Sequence, residues 1–260
     1  MPTVRDIETV LYELAPKELA MEGDNVGLLI GRPEREAAKV LVALDVTEDV
    51  AEEAAGLGAD LIVAHHPVMN CAWNPVQTIR DDTIQGRLFF KLIEHNIAAV
   101  CMHTNLDRAS GGVNDALAAR LGLEHVEKLP GGDEVLRAGE LPGTMTLPAF
   151  LRWVKAAISP NGIRFTNSGR QVRRVAVGGG ACGSYWRAAA EAGCDTLVTS
   201  DLKYNEFLDA QAAGLTVIDA GHFPTENVVC PVLCEYLRIK FPGLTVERSA
   251  VHREVVQYYV

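Results

Sequence analysis

The sequence predicts an α/β protein of two related lobes, each a mostly parallel sheet flanked by helices. Three observations carry this expectation. Short apolar runs alternate with helical stretches along most of the chain. The runs are continuously apolar rather than alternating, as strands covered on both faces are. One stretch of the first half also recurs in the second. AAGLGADLIVAHH (54–66) resembles AAEAGCDTLVTSD (189–201), with Gly58 and Asp60 falling on Gly193 and Asp195, and Val40 on Val175, at one constant offset. An internal duplication is the economical reading.

In order along the chain, the N-terminal stretch reads as a helix. Thr3 is its cap, and Ile7, Val10, Leu11 and Leu14 share one face. KVLVALD (39–45) is a strand, and Thr47 caps the helix VTEDVAEEAAGLG. ADLIVAHH is a strand, IQGRLFFKLIEHN a helix, IAAVCMH a strand and VNDALAARLG a helix. The second half repeats the plan: VRRVAVGGG (172–180), CDTLVTSD and LTVIDAGH are strands, separated by the helices SYWRAAAEAG and YNEFLDAQAAG. A last helix runs toward IKF. The periodicity lapses in the Pro/Gly-rich segment 129–143, which sets the expected lobes at 1–128 and 129–260. The tail, 244–260, alternates like a strand and is free to return to either lobe, the first included.

At 260 residues the chain is long enough for one large α/β domain or two lobes of ordinary size, with a substantial buried core. Its 48% hydrophobic and 22% charged residues are usual for a soluble globular protein. A formal net charge of −10 argues against a nucleic-acid surface built on bulk electrostatics and against docking to an anionic membrane. The N-terminus has acidic residues where a signal peptide needs an apolar core, and no apolar run is long enough to span a bilayer. Six cysteines, at 71, 101, 182, 194, 230 and 234, lack C-x2-C spacing and mostly sit in apolar surroundings. They read as reduced, buried thiols. The expected location is the cytoplasm.

Open α/β sheets bind ligands beyond the carboxyl ends of their parallel strands, and the chemistry collects there. The first lobe offers Asp45, the neighbours His65 and His66, and His103 with Asp107. The second offers the glycines 178–180, Asp201 and Lys203, then Asp219, His222 and Glu226. His95, His125 and His252 fall in helix or loop contexts and are expected to play no part. Adjacent residues of a strand face opposite ways, so His65 and His66 can share a site only where the strand ends. Pro67 ends it, because it has no N–H to continue a ladder.

Histidine with carboxylate is a ligand set for Zn, Fe, Mn, Co or Ni. His65, His66, His222, Asp107 and Glu226 are too many for one catalytic zinc and suit two ions sharing a carboxylate. A His-His pair alone is compatible with a surface or capping accident, and each His-x3-carboxylate spacing alone with a cap. Their coincidence at equivalent strand ends is what points to metal. Separately, Gly178-Gly179-Gly180-Ala181-Cys182-Gly183 matches G-x-G-x-x-G between a strand and a helix, with Asp201 ending the next strand. It is open to three readings: a nicotinamide-dinucleotide turn, a tight strand–helix turn, or a substrate cradle.

These residues resemble the NGG-interacting factor 3-like family, also known as GTP cyclohydrolase I type 2. The resemblance rests on DNVGLLIG (24–31), VALDVTEDV (42–50), AHHP (64–67), HTNLDRASGGVND (103–115), GGGACGS, TSDLKYNE (199–206) and DAGHFPTE (219–226). It covers nearly the whole chain and implies two divalent cations per subunit. His65, His66, Asp107, His222 and Glu226 would be the ligands, Glu226 the bridge, and His103 a proton-transfer or supporting group beside the metals. It further implies a ring-shaped homohexamer, here in the short form without an inserted domain. Two departures stand out: Gly23 where the family often has tryptophan, and Asn205 where it often has histidine.

The function expected is that of a metal-dependent hydrolase acting on a nucleotide-like substrate, with purine ring opening by metal-activated hydroxide as the GTP cyclohydrolase name implies. Phosphoester or amide hydrolysis would use the same residues, and Lys203 could meet a phosphate. The alternative is a non-enzymatic, metal-binding regulatory hexamer whose target is a partner protein.

Overall fold

A computed structural model describes residues 1–69 and 75–259. Cys71, expected to be a buried thiol, lies outside the described residues. The chain forms two compact units: Met1–Ser110 with Cys230–Arg253, and Gly111–Val229 with Glu254–Val260. Each holds one mixed sheet flanked by helices. Among the described residues, no helix is long and apolar enough to cross a membrane.

The first unit begins with α1 (Val4–Leu14), where Thr3 and Asp6 form a reciprocal capping box and Val4, Ile7 and Leu11 are buried. Its sheet contains β1 (Gly27–Ile30), β2 (Lys39–Ala43), β3 (Leu61–Ala64), β4 (Ala98–Cys101) and β11 (Thr245–Arg248), in the order β1-β4-β3-β2-β11. The last four strands are mutually parallel and β1 is antiparallel to β4. Crossover helices α2 (Glu48–Leu57) and α3 (Ile84–Glu94) start on side-chain caps from Thr47 and Thr83. Leu41, Ile62, Ala99, Val50, Ala54, Phe89 and Leu92 pack together in the core. After β4 comes the short α4 (Thr104–Arg108). The later α10 (Val229–Lys240) leads to β11, which returns to this sheet beside β2.

The second unit contains β5 (Glu124–Lys128), β6 (Arg137–Met145), β7 (Arg164–Phe165), β8 (Val172–Val177), β9 (Thr196–Thr199) and β10 (Thr216–Asp219), in the order β5-β6-β8-β9-β10-β7. Only β8, β9 and β10 are parallel; the other three strands add antiparallel edges. The helices are α5 (Val113–Arg120), α6 (Leu147–Ile158), α7 (Trp186–Glu191), α8 (Tyr204–Ala212) and α9 (His222–Glu226). Phe150, Val154, Leu117, Val175, Val198 and Ile218 form its core.

Two sequence expectations are corrected here. The units do not divide in 129–143, which lies within the second unit as a turn and most of β6. Pro142 falls where the β6–β8 register shifts, between Glu140 and Met145. A strand interrupted by a residue with no N–H loses the regular pattern that would announce it. The tail is strand only over Thr245–Arg248, and Glu254–Val260 belongs to the second unit.

The recurrence seen in the sequence reappears as one hydrogen-bond arrangement in each unit. Asp60 Oδ2 accepts from the backbone N–H groups of Ala38 and Lys39, at 2.8 and 3.1 Å. Asp195 Oδ2 accepts from Arg173 and Arg174, at 2.9 and 2.8 Å. The acceptor and both donors are related by the same offset as the sequence match. Each carboxylate ties the start of one parallel strand to the next. Asp195→Ala removes the acceptor from two partly buried donors and should cost about 1–3 kcal/mol, read as a lower urea midpoint at unchanged slope.

Candidate metal centre

In the first unit, β2, β3 and β4 finish level, at the registered pairs Ala43↔Ala64 and Ala64↔Cys101. The chain then leaves the sheet at Leu44–Asp45, His65–His66 and Met102–His103. The backbone N–H groups of His65 and His66 both point to the Leu44 carbonyl, at 3.1 and 2.9 Å. Sharing one acceptor breaks the ladder, so the two side chains no longer alternate. Their ring centroids lie 4.9 Å apart, and His103 lies 5.3 and 5.7 Å from them. One ligand atom from each of the three lies within 4.8 Å of the others.

Every one of these rings is anchored through Nδ1. His65 Nδ1 meets the Met102 carbonyl at 2.8 Å, His66 Nδ1 meets Asp45 Oδ1 at 2.7 Å, and His103 Nδ1 meets Asp24 Oδ1 at 2.8 Å. A carbonyl and an ionised carboxylate only accept, so Nδ1 carries a proton, and in the neutral ring Nε2 keeps its lone pair. That is how metal-binding histidines are held. His103 also starts α4, where Asp107 brings Oδ1 to 3.7 Å from His65 Nε2.

Two aspartates do the anchoring. Burial alone would raise the Asp24 pKa, but hydrogen bonds from His103 and from Thr104 (Oγ1 at 2.5 Å, N at 3.1 Å) hold it well below the usual carboxylate range. Asp45 is likewise raised by burial and pulled lower still by hydrogen bonds from His252 and His66. His252, expected to play no part, has Nε2 3.2 Å from Asp45 Oδ2.

The second unit places its own histidine and carboxylate on α9, one turn apart on the same face. His222 Nδ1 meets Asp201 Oδ2 at 2.6 Å, and its Nε2 lies 3.0 Å from Glu226 Oε2. Asp201 sits at the end of β9 with φ of 54°, a left-handed conformation that aspartate tolerates better than most residues. Burial would depress the His222 pKa. Its hydrogen bonds to Asp201 and Glu226 outweigh this and push it up to about 11. Without metal the ring is therefore an imidazolium held between two carboxylates, and a cation taking Nε2 must displace its proton.

Gly179 and Gly180 of the glycine run lie against the same side chains. The N–H groups of the run are engaged: Gly178 with the Val198 carbonyl, Gly179 with Asn114 Oδ1 and Gly180 with Thr225 Oγ1. A dinucleotide turn would instead offer these donors to a pyrophosphate, so the tight-turn reading holds. A Cβ on Gly180 would lie 2.0 Å from Glu226 Oε1 and 3.1 Å from His222 Nε2, at a φ of 63°. The bare backbone passes there because nothing larger fits. Lys203 begins α8 through its backbone and is exposed, as are Asn205, His95 and His125. The five described cysteines, 101, 182, 194, 230 and 234, are buried, and burial pushes the Cys101 thiol up to about 12.

Imidazole nitrogens with carboxylates suit Zn, Fe, Mn, Co or Ni, and the Nδ1 anchors leave donors of that type in both units. The family model described as Duf34/NIF3 (NGG1p interacting factor 3) matches residues 2–254. The chain belongs to the NIF3 family. A Lactococcus lactis relative named GTP cyclohydrolase 1 type 2 homolog is 34% identical over 250 residues, 95% of each chain. A Clostridium perfringens protein of the same name is 33% identical over 229 residues, 86% of each chain. Among solved structures, a Bacillus cereus protein related to NIF3 has a TM-score of 0.91 at 27% identity, over 100% of this chain and 99% of that one.

For a NIF3 protein of this sequence, reading from the residues alone left Asp24 without a role and dismissed His252. Asp24 stands inside DNVGLLIG, but its partner His103 is 79 residues away. Local spacing cannot reveal such a pair.

Two outcomes follow. Gly180→Ala should lose at least about 1 kcal/mol in urea unfolding and bind Zn²⁺ more weakly in calorimetry. The native contribution of Asp24 is present above an ordinary carboxylate pKa of about 4 and is lost as pH falls toward its depressed native value. In chelator-treated protein, Asp24→Asn should therefore flatten the acid limb of the stability–pH curve below about pH 4.

Proposed function

We propose that this NIF3-family protein binds two divalent cations and uses them to hydrolyse an anionic, nucleotide-like substrate. As the family resemblance implies, His65, His66, Asp107, His222 and Glu226 would be the ligands, with Glu226 as the shared carboxylate. The observation that carries this reading is the Nδ1 anchoring of every histidine in the set, by a carbonyl or a carboxylate. Divalent ions would supply Lewis acidity, polarising a substrate oxygen and making water a nucleophile at neutral pH. Asp107 and Glu226 carry only two negative charges between them, which leaves the centre attractive to an anion.

His103 is the proton carrier in this scheme. Its Nδ1 is committed to Asp24, so Nε2 is the atom that takes up or delivers a proton. The names of the relatives support a purine nucleotide such as GTP as the substrate class, with opening of the purine ring as the reaction. A homohexamer is the assembly that the resemblance implies. A cytoplasmic location is supported by the free, buried thiols of Cys101, Cys194 and Cys234.

The test is a substrate panel of nucleoside triphosphates, phosphoesters and amides, run on protein of measured metal content beside Glu226→Ala. Metal content should fall in the variant and turnover should drop by more than about a hundredfold. Unchanged activity in Glu226→Ala would overturn the proposal. A fully metal-loaded wild type that turns over nothing, yet retains a specific protein partner, would establish the non-enzymatic alternative in its place.

A further inference from the structure

The two oxygens of Asp45 meet two different imidazoles. Oδ1 receives His66 Nδ1–H at 2.7 Å, and Oδ2 lies 3.2 Å from His252 Nε2. The other nitrogen of His252 faces the backbone N–H of Leu44 at 3.3 Å and, at the limit of reach, that of Asp45 at 3.5 Å. An N–H can only donate, so Nδ1 of His252 is the acceptor and the ring proton is on Nε2, aimed at Asp45. The hydrogen bonds thus converge on Asp45 from two sides. Leu44 N–H donates to His252, His252 Nε2–H donates to Asp45, and His66 Nδ1–H donates to the opposite oxygen of the same carboxylate.

Several contacts deliver His252 to this place. β11 lies parallel to β2, and Ser249 N–H continues the ladder to the Val42 carbonyl at 2.8 Å. Glu53 of α2 then holds the turn, accepting from the Ser249 hydroxyl at 2.5 Å and from Ala250 N–H at 2.8 Å. The His252 backbone N–H closes onto Ser249 Oγ at 3.1 Å. The His252 side chain is 10% exposed, whereas that of Asp45 is 40% exposed. A carboxylate this open to water can turn about its last bond unless something holds its second oxygen.

We propose that His252 is a positioning residue for the metal centre, acting through Asp45 to fix the tautomer and direction of His66. The proposal rests on the reading of His66 as a ligand. His252 touches neither metal nor substrate; it removes the rotational freedom of the group that orients a ligand. Its loss weakens cation binding while leaving the ligand set complete.

The experiment titrates Co²⁺ into chelator-stripped full-length protein against a chromophoric competitor. Wild type is compared with His252→Asn, His252→Gln and His66→Ala. Asparagine keeps an acceptor near the Nδ1 position but gives Asp45 no donor; glutamine reaches the Nε2 position with an N–H. His252→Asn should weaken Co²⁺ binding about tenfold, and His252→Gln should stay within about threefold of wild type. A loss that merely followed destabilisation would track the metal-free urea midpoints of the two variants instead. Equal affinity in wild type and His252→Asn, with His66→Ala weakened, would overturn the proposal. Undiminished binding by His66→Ala would overturn the ligand assignment beneath it, and the proposal with it. In wild-type, metal-free protein, long-range nitrogen–proton correlation should show His252 protonated at Nε2 and His66 at Nδ1. The opposite tautomer at either ring overturns the proposal whether or not a variant folds.

Discussion

An imidazole offers a lone pair only from the nitrogen that carries no proton, and the candidate ligands of each unit depend on which nitrogen that is. Free in water the ring exchanges tautomers; here a fixed acceptor keeps a proton on Nδ1 of each histidine, so Nε2 is the nitrogen left to offer a cation, once His222 has given up its second proton. The Met102 carbonyl does it for His65, Asp45 for His66, Asp24 for His103 and Asp201 for His222. Both units use the same device, with the same atom facing the anchor. The carboxylates that serve as anchors are kept ionised by the hydrogen bonds they accept, even where burial alone would favour the protonated form.

Strand ends make this arrangement available. Parallel strands that finish level release their following residues at one edge of the sheet, where the backbone no longer has to alternate side chains. In the first unit the Leu44 carbonyl takes both His65 and His66 N–H groups, so the ladder stops where the two rings are needed. Short helices after β4 and β10 then place a histidine and a carboxylate one turn apart. Gly180 completes the second unit by leaving room behind Glu226 that any side chain would fill. In the glycine run that resembles a phosphate-binding turn, Gly179 and Gly180 thus accommodate how closely Glu226 packs against the backbone.

The parts of this plan carried by short, periodic or repeated patterns were legible without coordinates. Apolar runs marked β2, β3, β4, β8, β9 and β10, and capping threonines marked α1 and α2. Several unread strands had weak local patterning: β1, β5 and β7 are edge strands, and β6 is interrupted by Pro142; α6 also went unread, although it buries Leu147, Phe150, Val154 and Ile158 at helical spacing. Edge strands are exposed along one side and need not be continuously apolar, so the signal that identifies a central strand is absent from them.

By itself the sequence determined the fold class, the central strands and the residues able to bind metal, because these follow from composition and spacing within about twenty residues. The tertiary structure alone decided how those histidines are oriented. Asp24 reaches His103 and His252 reaches Asp45 only because α1 and its following loop, and β11, return to the sheet from far along the chain. A hydrogen bond between residues some 80 or 200 positions apart leaves no periodicity in either segment. It exists only once the strands between them are paired.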